Sequence, residues 1–346
     1  MTAPKLRLTS LSHGGGCGCK IAPGVLSELL KGTKALPVPA DLLVGIGSAD
    51  DAAVYRISDT QAIVATTDFF MPIVDDPEDF GRIAATNAIS DVYAMGGRPL
   101  FALAVVGMPV NTLPPETIAR ILEGGARAAA DAGIPVAGGH TIDSVEPIYG
   151  LVAIGLVDLA HLKQNDRAED GDVLILGKPL GVGIYSAAFK KELLSEEQYA
   201  EMIATMTRLN TPGPDLAALP GVHAMTDVTG FGLAGHGLEM ARGSGLQARI
   251  DWAAVPLLSD ARTLAEAGNI TGASGRNWAS YGEAITLDGL GDIDRALVCD
   301  PQTSGGLLVA CAPDAVEEVL ATFRRHGFDA ATPVGRMAAG QGVHFA

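Results

Sequence analysis

The chain has 346 residues, 48% of them hydrophobic, which is enough for two domains with cores of their own. It carries 24 Lys and Arg against 40 Asp and Glu, a net charge of −16. That balance speaks against a nucleic-acid binder, whose affinity rests on phosphate contacts; a small anionic ligand is compatible if carboxylate-held metal ions screen it.

No apolar run reaches the roughly 18 residues that span a bilayer. The N-terminus lacks the apolar segment of a signal peptide. Four cysteines, Cys17, Cys19, Cys299 and Cys311, are too few for a disulfide framework at this length. The expectation is a soluble, cytoplasmic chain with reduced thiols and no membrane partner.

Residues 1–47 read as an irregular, Gly-rich segment with a short helix from Pro23 to Lys31. Ala52–Ile57 and Ala62–Thr67 read as strands. A helix follows from Pro77 to Met95, with Asp76 as N-cap, Pro77 at the first position and Glu78 and Asp79 at the positive end. Leu100–Val106 reads as a buried strand, Pro115–Ala132 as an Ala-rich helix, and Ile134–Ala137 and Ile148–Val157 as two more strands. A charged seam near 158–172 separates this 48–157 domain from a second one, 158–346. There Val173–Leu176 opens a new alternation of strands and helices, and a late helix follows Pro313. Two layered α/β domains are expected.

Three groups of residues could carry chemistry. The first is His13-Gly-Gly-Gly-Cys17-Gly-Cys19-Lys20. Its glycines leave Cys17 open, and Lys20 either favours the reactive thiolate or neutralises phosphate oxygens. A floppy terminus with incidental cysteines fits the same residues. The run is neither a P-loop, which needs Gly-Lys-Ser/Thr, nor a zinc knuckle.

The second group is scattered aspartates. Asp50 and Asp51 open a strand, Asp68 follows Thr66-Thr67, Asp91 lies one helical turn after Asn87, and Asp227 ends an apolar stretch. Lone charges suit these places poorly unless they meet a cation, and carboxylates at strand ends suit Mg²⁺. Each taken singly also fits an ordinary surface cap. The third group, Gly138-Gly139-His140-Thr141, could bring backbone N–H groups to a nucleotide or could be a plain strand-end turn. Gly230-x-Gly232-x-x-Gly235 imitates a dinucleotide fingerprint, with Asp251 at the right distance. Asp227 and Thr229 interrupt the required strand, so these glycines read as close packing beside a metal-binding aspartate.

In order along the chain, these segments resemble the selenophosphate synthetase (selenide, water dikinase) family. The resemblance rests on Ser12–Lys20 (SHGGGCGCK), Asp50–Tyr55 (DDAAVY), Thr66–Pro77 (TTDFFMPIVDDP) and Phe80–Arg98 (FGRIAATNAISDVYAMGGR). It continues through Ala137–Asp143 (AGGHTID), Ala224–His236 (AMTDVTGFGLAGH), Arg276–Gly282 (RNWASYG) and Cys299–Leu307 (CDPQTSGGL).

The resemblance implies a fold like that of aminoimidazole ribonucleotide synthetase. An N-terminal mixed sheet with two helices would pair across a homodimer, and a C-terminal α/β domain would follow. It implies conversion of ATP, selenide and water to selenophosphate, AMP and orthophosphate. It implies catalytic roles for Cys17 and Lys20, and Mg²⁺ on Asp51, Asp91 and Asp227. It implies ATP contacts from Lys20, Ser48, Ala49, Asp50, Asp68, Asp91, Gly139, His140 and Thr141. Ile46-Gly47-Ser48-Ala49 is less polar here than the family pattern: ATP contacts made there by backbone groups would survive, whereas contacts made by side chains would not.

Overall fold

The structure, a computed structural model, describes residues 7–21, 24–25, 28–29, 38–45 and 50–346. Of the helix expected over Pro23–Lys31, Gly24, Val25, Glu28 and Leu29 are described and are helical; its other residues and the stretch 46–49 lie outside the described residues.

The first domain is a six-stranded sheet in the order β1-β2-β3-β6-β4-β5. Its strands are β1 (Leu42–Val44), β2 (Ala53–Arg56), β3 (Gln61–Phe70), β4 (Arg98–Met108), β5 (Val136–Asp143) and β6 (Ile148–Asp158). All pairs are antiparallel except β4–β5. β1 belongs to the segment read as irregular; Leu42 and Val44 find partners in Tyr55 and Val54, a pairing with no local signal.

Two helices, α1 (Pro77–Ala94) and α2 (Pro115–Asp131), pack against each other beside this sheet. Asp76 caps α1 by accepting from the N–H groups of Glu78 and Asp79 at 2.9 and 3.1 Å. Small residues let the pair come close: a Cβ on Gly124 would stand 2.0 Å from the carbonyl oxygen of Glu78. α1 is buried on nearly every side, including polar Asn87, Ser90 and Asp91. A helix with no solvent face must find partners for such groups inside the protein.

β5 departs from expectation. The glycine pair is not a turn after the strand but part of it. Gly139 takes φ +154°, and a Cβ there would meet the backbone oxygen of Ala104 at 2.1 Å, so glycine lets the strand lie close on β4. The far face of the sheet carries apolar rows in register. Leu103 stands opposite Val152, and Phe101 opposite Ile154; Phe69 on the same face is 49% exposed.

The second domain holds a seven-stranded sheet, order β10-β13-β9-β12-β7-β11-β8. Its strands are β7 (Val173–Leu176), β8 (Val222–Asp227), β9 (Gln247–Ile250), β10 (Ile285–Leu287), β11 (Leu307–Cys311), β12 (Thr332–Ala338) and β13 (Gly342–Phe345). The helices are α3 (Val182–Lys190), α4 (Glu196–Met206), α5 (Gly213–Ala217), α6 (Gly232–Ser244), α7 (Ala261–Glu266), α8 (Gly272–Tyr281), α9 (Asp292–Val298) and α10 (Val316–Arg325). β8 and α5 contact α1, so the first domain's buried helix also faces the second domain.

Candidate active site

Four elements bring oxygen atoms to one place. β3 supplies Thr66 and Asp68, α1 supplies Asn87, Ser90 and Asp91, β8 ends in Asp227, and Asp50 and Asp51 lead into β2. A cavity of about 130 Å³ is lined by Asp50, Asp51, Asp91 and Asp227, with Lys20, Thr229, His236 and Glu239 completing its polar wall. Aspartates separated by as many as 177 residues thus share one chamber.

Each of the three proposed metal ligands is held by a hydroxyl. Thr66 donates to Asp91 at 2.5 Å, Ser90 to Asp227 at 2.5 Å, and Thr226 to Asp51 at 2.9 Å. Burial and mutual repulsion raise all three carboxyls. Asp51 is pushed well above the usual range by burial, then by Asp227, Asp50 and Asp91. Asp91 rises through burial, Asp227 and Asp68, with Lys20 and Thr66 opposing. Asp227 rises through burial, opposed first by Ser90. The second oxygen of Asp51 is buried without a hydrogen-bond partner.

This all-oxygen set fits a hard divalent cation such as Mg²⁺, which would satisfy the orphaned oxygen and remove the repulsion. Among the described residues no three acidic, His or Cys side chains close around a ready-made metal position.

The Gly-rich turn docks on this chamber. Gly16–Cys19 forms a single 3₁₀ turn. Cys17 is 1% exposed; its N–H donates to Thr303 Oγ1 at 3.0 Å and its thiol to Asn87 Oδ1 at 3.1 Å. The open, mobile backbone expected at Cys17 is therefore a seated one. Burial raises the thiol's pKa, and Lys20 only partly opposes the rise, so the docked form is the thiol.

Lys20 Nζ lies 3.3 Å from Asp68. Burial opposes its charge, but Asp68 first, then Cys17, Asp91 and Asp227, hold the ammonium firmly protonated. Its side chain is still 38% exposed, so it retains freedom to reach a ligand.

Two members of the site carry no role assigned from the sequence. Asn87 donates to Asp68 at 2.5 Å and accepts from the N–H of Ser304 at 2.8 Å, besides receiving the Cys17 thiol. Its spacing from Asp91 was the available signal. His236, which accepts or donates with Thr229 at 3.2 Å and faces Glu239 at 3.0 Å, had none beyond its place at the end of a quoted segment.

Gly139, His140 and Thr141 stand apart. They lie exposed on β5, with β4 and β6 between them and β3, and do not line the chamber. Ser48 and Ala49 lie outside the described residues. Gly232 takes φ +69° and would clash with the Cys299 carbonyl if it bore a Cβ, while Gly230 abuts the Cys17 carbonyl. These glycines serve close packing beside Asp227.

Residues 49–157 match the family described as AIR synthase related protein, N-terminal domain, and residues 169–346 match its C-terminal domain. Thiamine-monophosphate kinase from Stenotrophomonas maltophilia has a similar fold: TM-score 0.64, 23% identity, covering 88% of this chain and 91% of that one. Selenide, water dikinase from Burkholderia pseudomallei is 67% identical over 335 residues, covering 96% of this chain and 95% of its own length. The protein of the same name from Dechloromonas aromatica is 65% identical over 342 residues, with 99% and 98% covered. Two AIR synthase-related domains, and this identity over nearly the full length, place the chain in the selenide, water dikinase family.

Proposed function

We propose that the chain makes selenophosphate, converting ATP, selenide and water to selenophosphate, AMP and orthophosphate. The observation that carries this reading is the seating of the Cys17–Lys20 turn on a chamber of aspartates. A plain kinase needs the chamber but not a thiol fixed at its rim.

Asp51, Asp91 and Asp227 would hold Mg²⁺, which when bound neutralises triphosphate charge and polarises its oxygens. Thr66, Ser90 and Thr226 fix the carboxylates so that their orientation is set before ATP arrives. Lys20 exchanges Asp68 for phosphate oxygens and lowers the repulsion between an anionic nucleophile and the phosphoryl group. Asn87 and Thr303 hold Cys17 where it guides selenium, and its burial keeps water from the first transfer. Asp50 lines the chamber and Asp68 pairs with Lys20 in its wall, and both would contact the nucleotide, together with Ser48 and Ala49.

A homodimer completes this reading. The apolar rows at Leu103–Val152 and Phe101–Ile154 form a surface for a second copy's sheet. Gly139, His140 and Thr141 lie at the edge of that sheet, so their ATP contacts would be made to the partner's nucleotide. Four free cysteines agree with a reducing, cytoplasmic setting, and no described helix is long and apolar enough to cross a membrane.

Phosphorus NMR of the chain with ATP, Mg²⁺ and selenide under reducing conditions tests the proposal. Selenophosphate and AMP in equal amounts are expected; ADP as the only nucleotide product would reject it.

A further inference from the structure

A second cavity, of about 320 Å³, opens on the other side of the Cys17 turn. Its basic side chains are His13, Lys190 and Arg276, and among the described residues no carboxylate lines it. In a chain of net charge −16 such a patch is an exception. His13 is engaged by Glu146 at 3.0 Å, so Lys190 and Arg276 carry the free positive charge. Arg276 also donates to the carbonyl of Gly18 at 3.0 Å, which ties this mouth to the turn itself.

A crevice of about 10 Å³, whose wall includes Cys17, shares walls with both cavities. Gly18, Ala273 and Arg276 line both the outer cavity and the crevice. Lys20, Gly230 and Phe231 line both the crevice and the carboxylate chamber. The three spaces form a row: basic mouth, neck at Cys17, chamber behind Lys20. The neck is about the size of one water-sized sphere, so only a very small solute passes, and only when the turn loosens.

We propose that the small anionic nucleophile, hydroselenide, reaches the phosphoryl group along this row, collected at Lys190 and Arg276 and handed past Cys17. ATP, too large for the neck, approaches the chamber from the opposite side. Separate routes answer an electrostatic difficulty. A chamber of four aspartates repels a free anion, whereas a basic mouth raises its local concentration at the thiol. The inference rests on the selenophosphate reading, and its test separates the two.

Lys190→Gln/Arg276→Gln is compared with wild type in selenide-dependent turnover. KM for hydroselenide is expected to rise about 5- to 20-fold, with KM for ATP and kcat within about twofold. Wild-type KM for hydroselenide should rise with ionic strength and the variant's should not. Lys190→Arg/Arg276→Lys, which keeps both charges, should restore the wild-type value.

A second measurement needs no turnover. Cys17 alkylation is followed by peptide mass mapping with iodoacetate and with uncharged iodoacetamide. The iodoacetate-to-iodoacetamide ratio should fall several-fold in the Gln variant. Selenophosphate formation with an unmoved KM and an unmoved ratio overturns the route. Absence of selenophosphate with a fallen ratio overturns the function and keeps the anion path.

Discussion

The thiol of Cys17 points at the side-chain oxygen of Asn87 across 3.1 Å, and Asn87 sits one helical turn before Asp91. One amide therefore joins four pieces of chain. It takes the thiol and the Ser304 N–H on its oxygen and gives its N–H to Asp68. The Cys17 turn and the carboxylate chamber are positioned by the same residue.

Asn87→Ala should therefore hurt both folding and catalysis. It leaves the Ser304 N–H buried without an acceptor, at a cost of about 1–3 kcal/mol. Urea unfolding should show that loss, and selenophosphate formation should fall on the order of 100-fold. ATP binding, measured by calorimetry, should weaken far less.

Cys17 should behave as a poorly reactive thiol in the resting protein. Burial raises its pKa and Lys20 works against the rise, so less thiolate exists at any given pH than for an exposed cysteine. Iodoacetamide at pH 8 should modify Cys17 at least about tenfold more slowly than a model thiol. Lys20→Ala removes the cation that favours the thiolate, and should slow the reaction further.

The carboxylate chamber should destabilise the metal-free protein. A carboxyl whose folded pKa is raised binds more protons folded than unfolded, so stability falls as pH climbs above the ordinary carboxylate range. Asp51→Asn keeps an acceptor for Thr226 and removes one charge. It should raise the metal-free Tm by a few degrees at pH 7.5, and should lose most of the Tm increase that millimolar Mg²⁺ gives the wild type. Differential scanning fluorimetry reads both.

Asp300 offers a cleaner pH test away from the chamber. It is fully buried, accepts from the N–H of Gly183 and from Gln302 at 2.9 Å each, and leaves one oxygen unpaired. Burial pushes its carboxyl up to about 7. Asp300 should therefore contribute a decline in wild-type stability between about pH 4 and pH 7 of a few kcal/mol, on the order of 1.4 kcal/mol per unit of pKa difference, added to that of the chamber. In Asp300→Asn the total decline should be smaller by that share in urea titrations at pH 4.5, 6 and 7.5, the chamber's carboxyls keeping the remainder.

The α/β class of the fold and the long helices were legible because they follow local rules. Asp76 caps α1, and Val173–Leu176 is a compact apolar run. Asp51, Asp91 and Asp227 were legible as odd charges in apolar settings, and the structure brings them to one cavity. What spacing did not reveal depends on contacts between remote segments. The acceptor for the Cys17 N–H is Thr303, 286 positions away, and only the folded chain brings them together. Gly139 looked like a turn because glycine permits a turn, whereas a strand squeezed against Ala104 demands the same residue.

The seating of Cys17 also sets a clock. Its docked position is held by the two hydrogen bonds of Cys17 to Thr303 and Asn87, by the Gly16 N–H on the Met71 carbonyl, by Arg276 on the Gly18 carbonyl, and by burial of a small side chain. At about 1 kcal/mol for each bond and a similar amount for the burial, undocking costs roughly 4–5 kcal/mol. The undocked form is then on the order of one molecule in a thousand to one in five thousand. A minor state of that size, exchanging on the microsecond-to-millisecond scale of loop motion, recurs within a turnover of about a second. The turn is a latch light enough to lift between cycles, yet it keeps the thiol enclosed for nearly all of the time in between.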